Sequence, residues 1–268
     1  MKIALTNMDI IWEDKSVNRD KCLALIKRAS FCGARLILFP EMTLTGFTMY
    51  PETFGEKSGL DSETVAFFLE MSKQFEMAVG FGYIEKGTMP GDAKNHFAVV
   101  DKGQLLGDYV KIHPFSYGEE NKHYCGGNQL VHVNIDELTL GLFICYDLRF
   151  PEIFQAMRST CQAMAVIANW PQNRRMHWDI LLAARAVETQ TYVLGVNRKG
   201  KDPGLTYEVS SQALDWNGEI LSTSKEKTSF GDECLIVEMD INALQQWRQQ
   251  FPAEKDRKPD FYKSLLTT

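Results

Sequence analysis

The stretch LTLGLFICYDLRFPE, residues 138–152, decides how the chain is read. Its first seven residues, Leu138–Ile144, are an apolar run of the kind that fits a strand buried on both faces. Cys145, Tyr146, Asp147, Leu148 and Arg149 then make a more polar turn, and Pro151 stands where a helix can begin, since its missing N–H costs nothing in a first turn. Strand, turn and helix in that order form a corner of an α/β sheet. Outward from it the same style repeats. Strands are expected at residues 2–8, 35–39, 77–85, 96–101, 104–110, 161–168, 192–197, 209–215, 218–222 and 233–240, and helices at 16–32, 61–75 and 177–190, besides the one opened by Pro151. Gly33 is a natural stop for the first helix, and Lys102 with Gly103 makes a tight turn between two strands. The pattern is two similarly built halves, each a sheet covered by helices on one side, with the sheets packed together. No low-complexity linker divides them, so residues 1–268 are expected to form one domain.

Composition narrows the function. There are 29 Lys and Arg against 35 Asp and Glu in 268 residues, a net charge of −6, and 44% of the chain is hydrophobic. An acidic balance without a basic patch gives no electrostatic reason to bind nucleic acid or an anionic membrane. No apolar run approaches the roughly 18 residues of a membrane span. The first residues lack the continuous apolar region of a secretory signal, so the expected location is the cytoplasm. The six cysteines show no C-x-x-C pair, and the five histidines fall at no ligand spacing, so neither a disulfide framework nor a metal is indicated, and no cofactor is expected.

Three apolar strands end on a reactive side chain, the place where α/β sheets collect functional groups. Residues 36–39 lead through Pro40 to Glu41, residues 105–110 to Lys111, and residues 140–144 to Cys145. A thiol at a strand-to-helix corner can act as a nucleophile with the next backbone N–H facing a developing oxyanion. A glutamate behind a buried strand suits a general base, and a buried ammonium polarises a carbonyl. Each also has a plainer reading: a buried cysteine, a capping acid, an edge-strand charge. His113 offers a Cys–His alternative, which leaves Pro114 and the strand-end lysine unexplained.

The sequence resembles the nitrilase superfamily of carbon–nitrogen hydrolases. The resemblance rests on Leu38, Phe39, Pro40, Glu41, Met42; on Tyr109, Val110, Lys111, Ile112, His113, Pro114, Phe115; and on residues 144–152 around Cys145, continuing through Asn169, Trp170, Pro171 and 182–197. The wording is closest to the omega-amidase branch, whose members hydrolyse the terminal amide of small α-keto acids such as 2-oxoglutaramate. The resemblance implies an α-β-β-α sandwich of two mixed sheets with helices outside. It implies a catalytic set of Glu41, Lys111 and Cys145, a thioester intermediate, and an oxyanion site made by Lys111 and the N–H of Tyr146. A fourth catalytic participant is implied, a second glutamate after the lysine, Glu119 or Glu120, with Glu120 preferred for its four-residue offset to Tyr124. Arg174, with Arg175 as rival, is expected to meet the carboxylate of a small amide substrate, while Arg149 is expected to pair with a carboxylate and shape the nucleophile turn. Trp170 and Phe115 are candidate pocket walls. The text departs from the pattern around 202–207, where Pro203 stands. By analogy the chain should form a homodimer, through the helix near Pro151 and the C-terminal segment 241–268. Other branches share these residues: amidases for deaminated glutathione, N-carbamoyl amino acid hydrolases and nitrilases.

Overall fold

A computed structural model of the chain describes residues 1–265. The first half runs β1 (Lys2–Asn7), α1 (Lys15–Phe31), β2 (Leu36–Leu38), α2 (Pro51–Phe54), α3 (Glu63–Gln74), β3 (Ala78–Glu85), β4 (Lys94–Asp101) and β5 (Gln104–Val110). The second half continues β6 (His132–Ile135), β7 (Leu138–Ile144), α4 (Pro151–Met157), β8 (Ala163–Ala168), α5 (Arg175–Thr189), β9 (Tyr192–Asn197), β10 (Gly200–Lys201), β11 (Thr206–Tyr207) and β12 (Gln212–Leu214). β13 (Thr223–Lys227), β14 (Glu233–Glu238), α6 (Ile241–Gln250) and α7 (Pro259–Leu265) follow.

Two mixed sheets result. The first has the order β13-β14-β1-β2-β3-β4-β5 and the second β12-β9-β8-β7-β6, each parallel at its centre and antiparallel at its edges. The period of two along each strand sorts the side chains. Ile3, Leu5, Leu36 and Leu38 of one sheet share a core with Leu140, Leu142, Ile144, Ala165 and Ile167 of the other. Their alternates point outward: Ala4, Ile37 and Val79 meet Cys22, Leu25, Ile26 and Phe68 of α1 and α3, while Phe143, Val166 and Val193 meet Phe154, Trp178 and Leu182 of α4 and α5. Both faces of each central strand are therefore buried, which is why these strands read as continuous apolar runs. The layers are helix, sheet, sheet, helix, as expected.

Local chemistry sets the helix starts. Asp14, Ser62 and Asp240 each accept a hydrogen bond from an N–H of the first turn of α1, α3 and α6. Lys102 and Gly103 both have positive φ, 49° and 76°, as a two-residue hairpin of primed type requires.

One expected strand is misplaced. Residues 218–222 are instead a turn and an exit: Asp215 accepts from the N–H groups of Asn217 and Glu219, Gly218 takes φ +79°, and only Ile220 bridges to Leu214. The pairing strand begins at Thr223, and its polar sequence hides it because it lies at a sheet edge. Strand β12 likewise keeps only Gln212–Leu214 of the expected 209–215, since Ser210 and Ser211 turn their hydroxyls to Asn197. α6 and the turn after it pack on the chain's own α4 end, with Arg158 paired to Glu254 and Arg257 bonded to Gln155 at 2.6 Å. Of the segment expected in dimer contacts, residues 266–268 lie outside the described residues. Among the described residues no helix is long and apolar enough to cross a membrane.

Candidate active site

The strand ends of the two sheets meet at one edge of the sandwich. Glu41 follows β2, Lys111 follows β5, Cys145 follows β7 and Asn169 follows β8. Glu41 Oε1 lies 2.9 Å from Lys111 Nζ, and Glu41 Oε2 accepts from the Asn169 N–H at 2.9 Å, so a carboxylate of one sheet is held by the backbone of the other. The glutamate turn fits only because β3 carries a glycine beneath it: a Cβ on Gly82 would stand 2.9 Å from Glu41 Cα. Thr43 closes that turn, donating to Pro40 O at 2.7 Å and accepting from the Gly82 N–H at 2.9 Å.

Lys111 is fully buried between two acids. Its Nζ also reaches both oxygens of Glu120, at 3.1 and 2.8 Å. Glu120 accepts in addition from the Phe115 N–H at 2.6 Å, whereas Glu119 lies at the surface, paired with Lys122. Of the two candidates the structure therefore brings Glu120 into the cluster. Burial opposes the charge on Lys111, yet Glu120 and Glu41 outweigh it and hold the ammonium well above its usual range. Burial raises the Glu120 carboxyl, against the pull of Lys111. Asn95, on β4, donates one amide nitrogen to Glu41 Oε1 at 2.8 Å and to Glu120 Oε1 at 3.0 Å.

Cys145 sits at the first residue of the turn with φ +45°, a left-handed conformation that costs a non-glycine residue energy and persists only where its surroundings enforce it. The enforcement comes from Asp147, which is fully buried. Its Oδ2 accepts from the Ile144 N–H at 3.1 Å and the Tyr109 hydroxyl at 2.8 Å. Its Oδ1 accepts from the His113 N–H at 3.0 Å and pairs with His113 Nδ1 at 2.8 Å. The turn carrying the thiol is thus tied to both ends of the lysine segment. His113, stacked on Phe150 at 3.7 Å, serves this tie and not the thiol. Burial first, and then the Glu41 carboxylate, push the Cys145 thiol well above its usual range, with Lys111 pulling the other way. At rest the sulfur is a neutral thiol.

These groups open on a cleft of about 420 Å³, its solvent-open mouth included. Lys111, Cys145 and Asn169 form its floor, and Phe115, Tyr146 and Trp170 form its walls. Phe115 and Tyr146 pack at 4.8 Å, and Asn197 pins Trp170 through its N–H and C=O at 2.7 and 2.8 Å. Leu205 closes the rim from the β10–β11 hairpin, the region where the text departed from pattern. That hairpin is built by Asp202, which accepts from the Gly204 and Leu205 N–H groups at 2.9 and 2.7 Å.

Arg174 lines the cavity with its guanidinium 5.3 Å from the Phe115 ring, while Arg175 turns away to Asp179 at 2.8 Å. Arg149 differs from expectation. It pairs with no carboxylate among the described residues; it lines the cavity, lies 5.0 Å over Trp170 and donates to His177 Nδ1 at 3.1 Å. The carboxylate of the turn, Asp147, is already saturated by four donors. Sequence reading also missed Asn95 and the clamp role of Asp147. The only signal for Asn95 was a polar residue at the mouth of a buried strand.

A buried carboxylate and ammonium facing a thiol across the seam of an α-β-β-α sandwich define a carbon–nitrogen hydrolase, and the chain belongs to that family within the nitrilase superfamily: the carbon-nitrogen hydrolase family model matches residues 2–249. It is a hydrolase acting on carbon–nitrogen bonds other than peptide bonds. More particularly, it is similar to the omega-amidase YafV of Escherichia coli K12, 32% identical over 260 residues covering 96% of each chain. It is similar also to the 2-oxoglutaramate amidase of Paenarthrobacter nicotinovorans, 32% identical over 239 residues covering 85% of this chain and 80% of that one. The fold matches the crystal structure of XC1258 from Xanthomonas campestris, a CN-hydrolase superfamily protein with an arsenic adduct in its active site, with a TM-score of 0.85 at 26% identity over 96% of this chain and 97% of that one. These relatives support amidase activity.

Proposed function

We propose that the chain hydrolyses the terminal amide of a small α-keto acid amide such as 2-oxoglutaramate, giving the acid and ammonia through a Cys145 thioester. The observation that carries this reading is the meeting of Cys145, the buried Glu41–Lys111–Glu120 network and Arg174, which has no acid partner among the described residues, at one cavity.

Because the resting thiol is neutral, Glu41 removes its proton as the sulfur attacks the amide carbon. The C=O electron pair moves to oxygen, where Lys111 and the Tyr146 N–H receive it. The oxyanion collapses, the C–N bond breaks, and Glu41 returns its proton to the departing nitrogen, which leaves as ammonia. Water then gives a proton to Glu41 while its oxygen attacks the thioester; the C–S bond breaks, the proton returns to sulfur, and the acid is released. Glu120 acts as a positioning residue, holding Lys111 and the Phe115 backbone. Arg174 presents its planar fork to the substrate carboxylate.

Steady-state ammonia release from 2-oxoglutaramate, 2-oxosuccinamate, glutamine, a deaminated-glutathione amide, an N-carbamoyl amino acid and a nitrile tests this. Highest kcat/KM on the two keto acid amides supports it; a preference for any of the others overturns it.

A further inference from the structure

The proposed chemistry leaves Arg149 unexplained. Most arginines of the chain meet an acid: Arg35 meets Asp101, Arg158 meets Glu254, Arg175 meets Asp179 and Arg185 meets Glu188. Arg149 and Arg174 do not, among the described residues, and both line the cavity above Cys145. Each guanidinium lies over an aromatic wall, 5.0 Å from the Trp170 ring and 5.3 Å from the Phe115 ring respectively, a contact that uses none of its N–H donors. Of five N–H donors on Arg149 one is used, by His177. A half-buried cation with open donors is costly unless an anion completes it.

Formal charge gives the anion. Two carboxylates and one ammonium sum to one unit negative, and the two arginines of the cavity lining add two units positive. A substrate with one carboxylate balances the site, and one with two carboxylates leaves it negative. Resting on the keto acid amide reading, we infer that Arg149 is a specificity-determining residue: with Arg174 it forms a two-arginine clamp on the substrate carboxylate and the keto oxygen beside it. Two planar forks match those three oxygens, whereas one fork serves only two. His177 is a positioning residue, its Nδ1 accepting from Arg149 and setting the guanidinium edge toward the cavity.

The test compares kcat/KM for 2-oxoglutaramate with that for pentanamide, an uncharged amide of similar length. Arg149→Met should lower the ratio of the two about 30-fold, mostly through KM, as expected for one charge-assisted interaction of about 2 kcal/mol at about 1.4 kcal/mol per factor of ten. Arg149→Lys, which keeps the charge without the fork, should recover only part of the loss, and it provides the readout should Arg149→Met not fold. His177→Leu should raise the KM for 2-oxoglutaramate, and His177→Asn, whose Oδ1 stands where Nδ1 does and accepts the same bond, should restore it. A native protein that shows no preference for 2-oxoglutaramate over pentanamide overturns the function proposed above. A native preference that survives in Arg149→Met and Arg149→Lys overturns the clamp alone.

Discussion

Asp147→Asn tests the idea that one buried carboxylate holds the thiol in its strained turn. Asp147 accepts four hydrogen bonds, two on each oxygen, from Ile144, Tyr109 and His113. In asparagine one oxygen becomes an NH2, so two of the four donors face a donor whichever way the amide turns. At roughly 1.5–3 kcal/mol for each hydrogen bond to a charged group, the loss is about 3–6 kcal/mol. With an unfolding entropy of about 2.1 cal/mol/K per residue over 268 residues, 4 kcal/mol corresponds to a fall of about 7 °C in Tm. Activity should fall further than stability, because Cys145 at φ +45° relaxes once the tie is cut and a shift of about 1 Å in a reacting atom can cost 100-fold in rate. Thermal unfolding by circular dichroism and kcat on a keto acid amide give the two readouts. Tyr109→Phe, which removes one of these donors and keeps the ring, should cost about 1.5–3 kcal/mol and leave a smaller change in kcat. An Asp147→Asn protein within 2 °C of the native Tm and with native kcat refutes the clamp.

Other consequences can be measured directly. Glu41→Gln should abolish amide turnover yet speed alkylation of Cys145 by iodoacetamide, because it removes the negative charge that keeps the thiol protonated and leaves Lys111 beside it; slower alkylation than in the native protein contradicts this. His96 bridges Asp108 at 2.7 Å and Glu85 at 2.8 Å, with Tyr83 on Asp108 and Lys94 on Glu85 beside it. Burial opposes its charge, but the two carboxylates raise its pKa above the ordinary 6.5, while His96 holds Glu85 down to about 2 from 4.5. The histidine's contribution to stability is therefore full below pH 6.5 and lost as pH rises through the raised value; that of Glu85 is full above pH 4.5 and lost as pH falls toward 2. The Tm difference between the native protein and His96→Gln should be largest between pH 4.5 and 6.5 and shrink at higher pH, and a difference that grows from pH 6.5 to 9 contradicts the assignment. Finally, Met176, Ile180 and Val187 form an exposed apolar stripe on α5. If the chain pairs as a homodimer through this face, light scattering should show Ile180→Asp as a monomer; an Ile180→Asp protein that remains dimeric excludes this face.

How much was legible followed from the range of each interaction. The central strands were readable because burial on both faces leaves only apolar residues between Leu36 and Leu38 or between Ala163 and Ala168. The polar edge strand Thr223–Lys227 was not, since half-exposed edges carry no such signal. Glu41, Lys111 and Cys145 stood at strand ends, so position marked them. Asn95 did not stand out: it meets Glu41 and Glu120 only because β4 pairs with β5 in a register that bonds the Lys111 N–H to Asn95 O at 2.9 Å.

By itself the sequence determined the layered α/β architecture, the family and the three strand-end positions, Glu41, Lys111 and Cys145, that the structure brings together, because each is written in local periodicity and short contiguous text. Only the tertiary structure decided between Glu119 and Glu120, between Arg174 and Arg175, and against a carboxylate partner for Arg149. In each pair the neighbours carry the same charge and differ by one step along the backbone. What separates them is direction: Glu120 turns inward to Lys111 while Glu119 turns to Lys122, and Arg174 faces the cavity while Arg175 reaches Asp179. Direction depends on the turn beneath each residue and on what the opposite sheet presents there, and both come from parts of the chain far away in sequence.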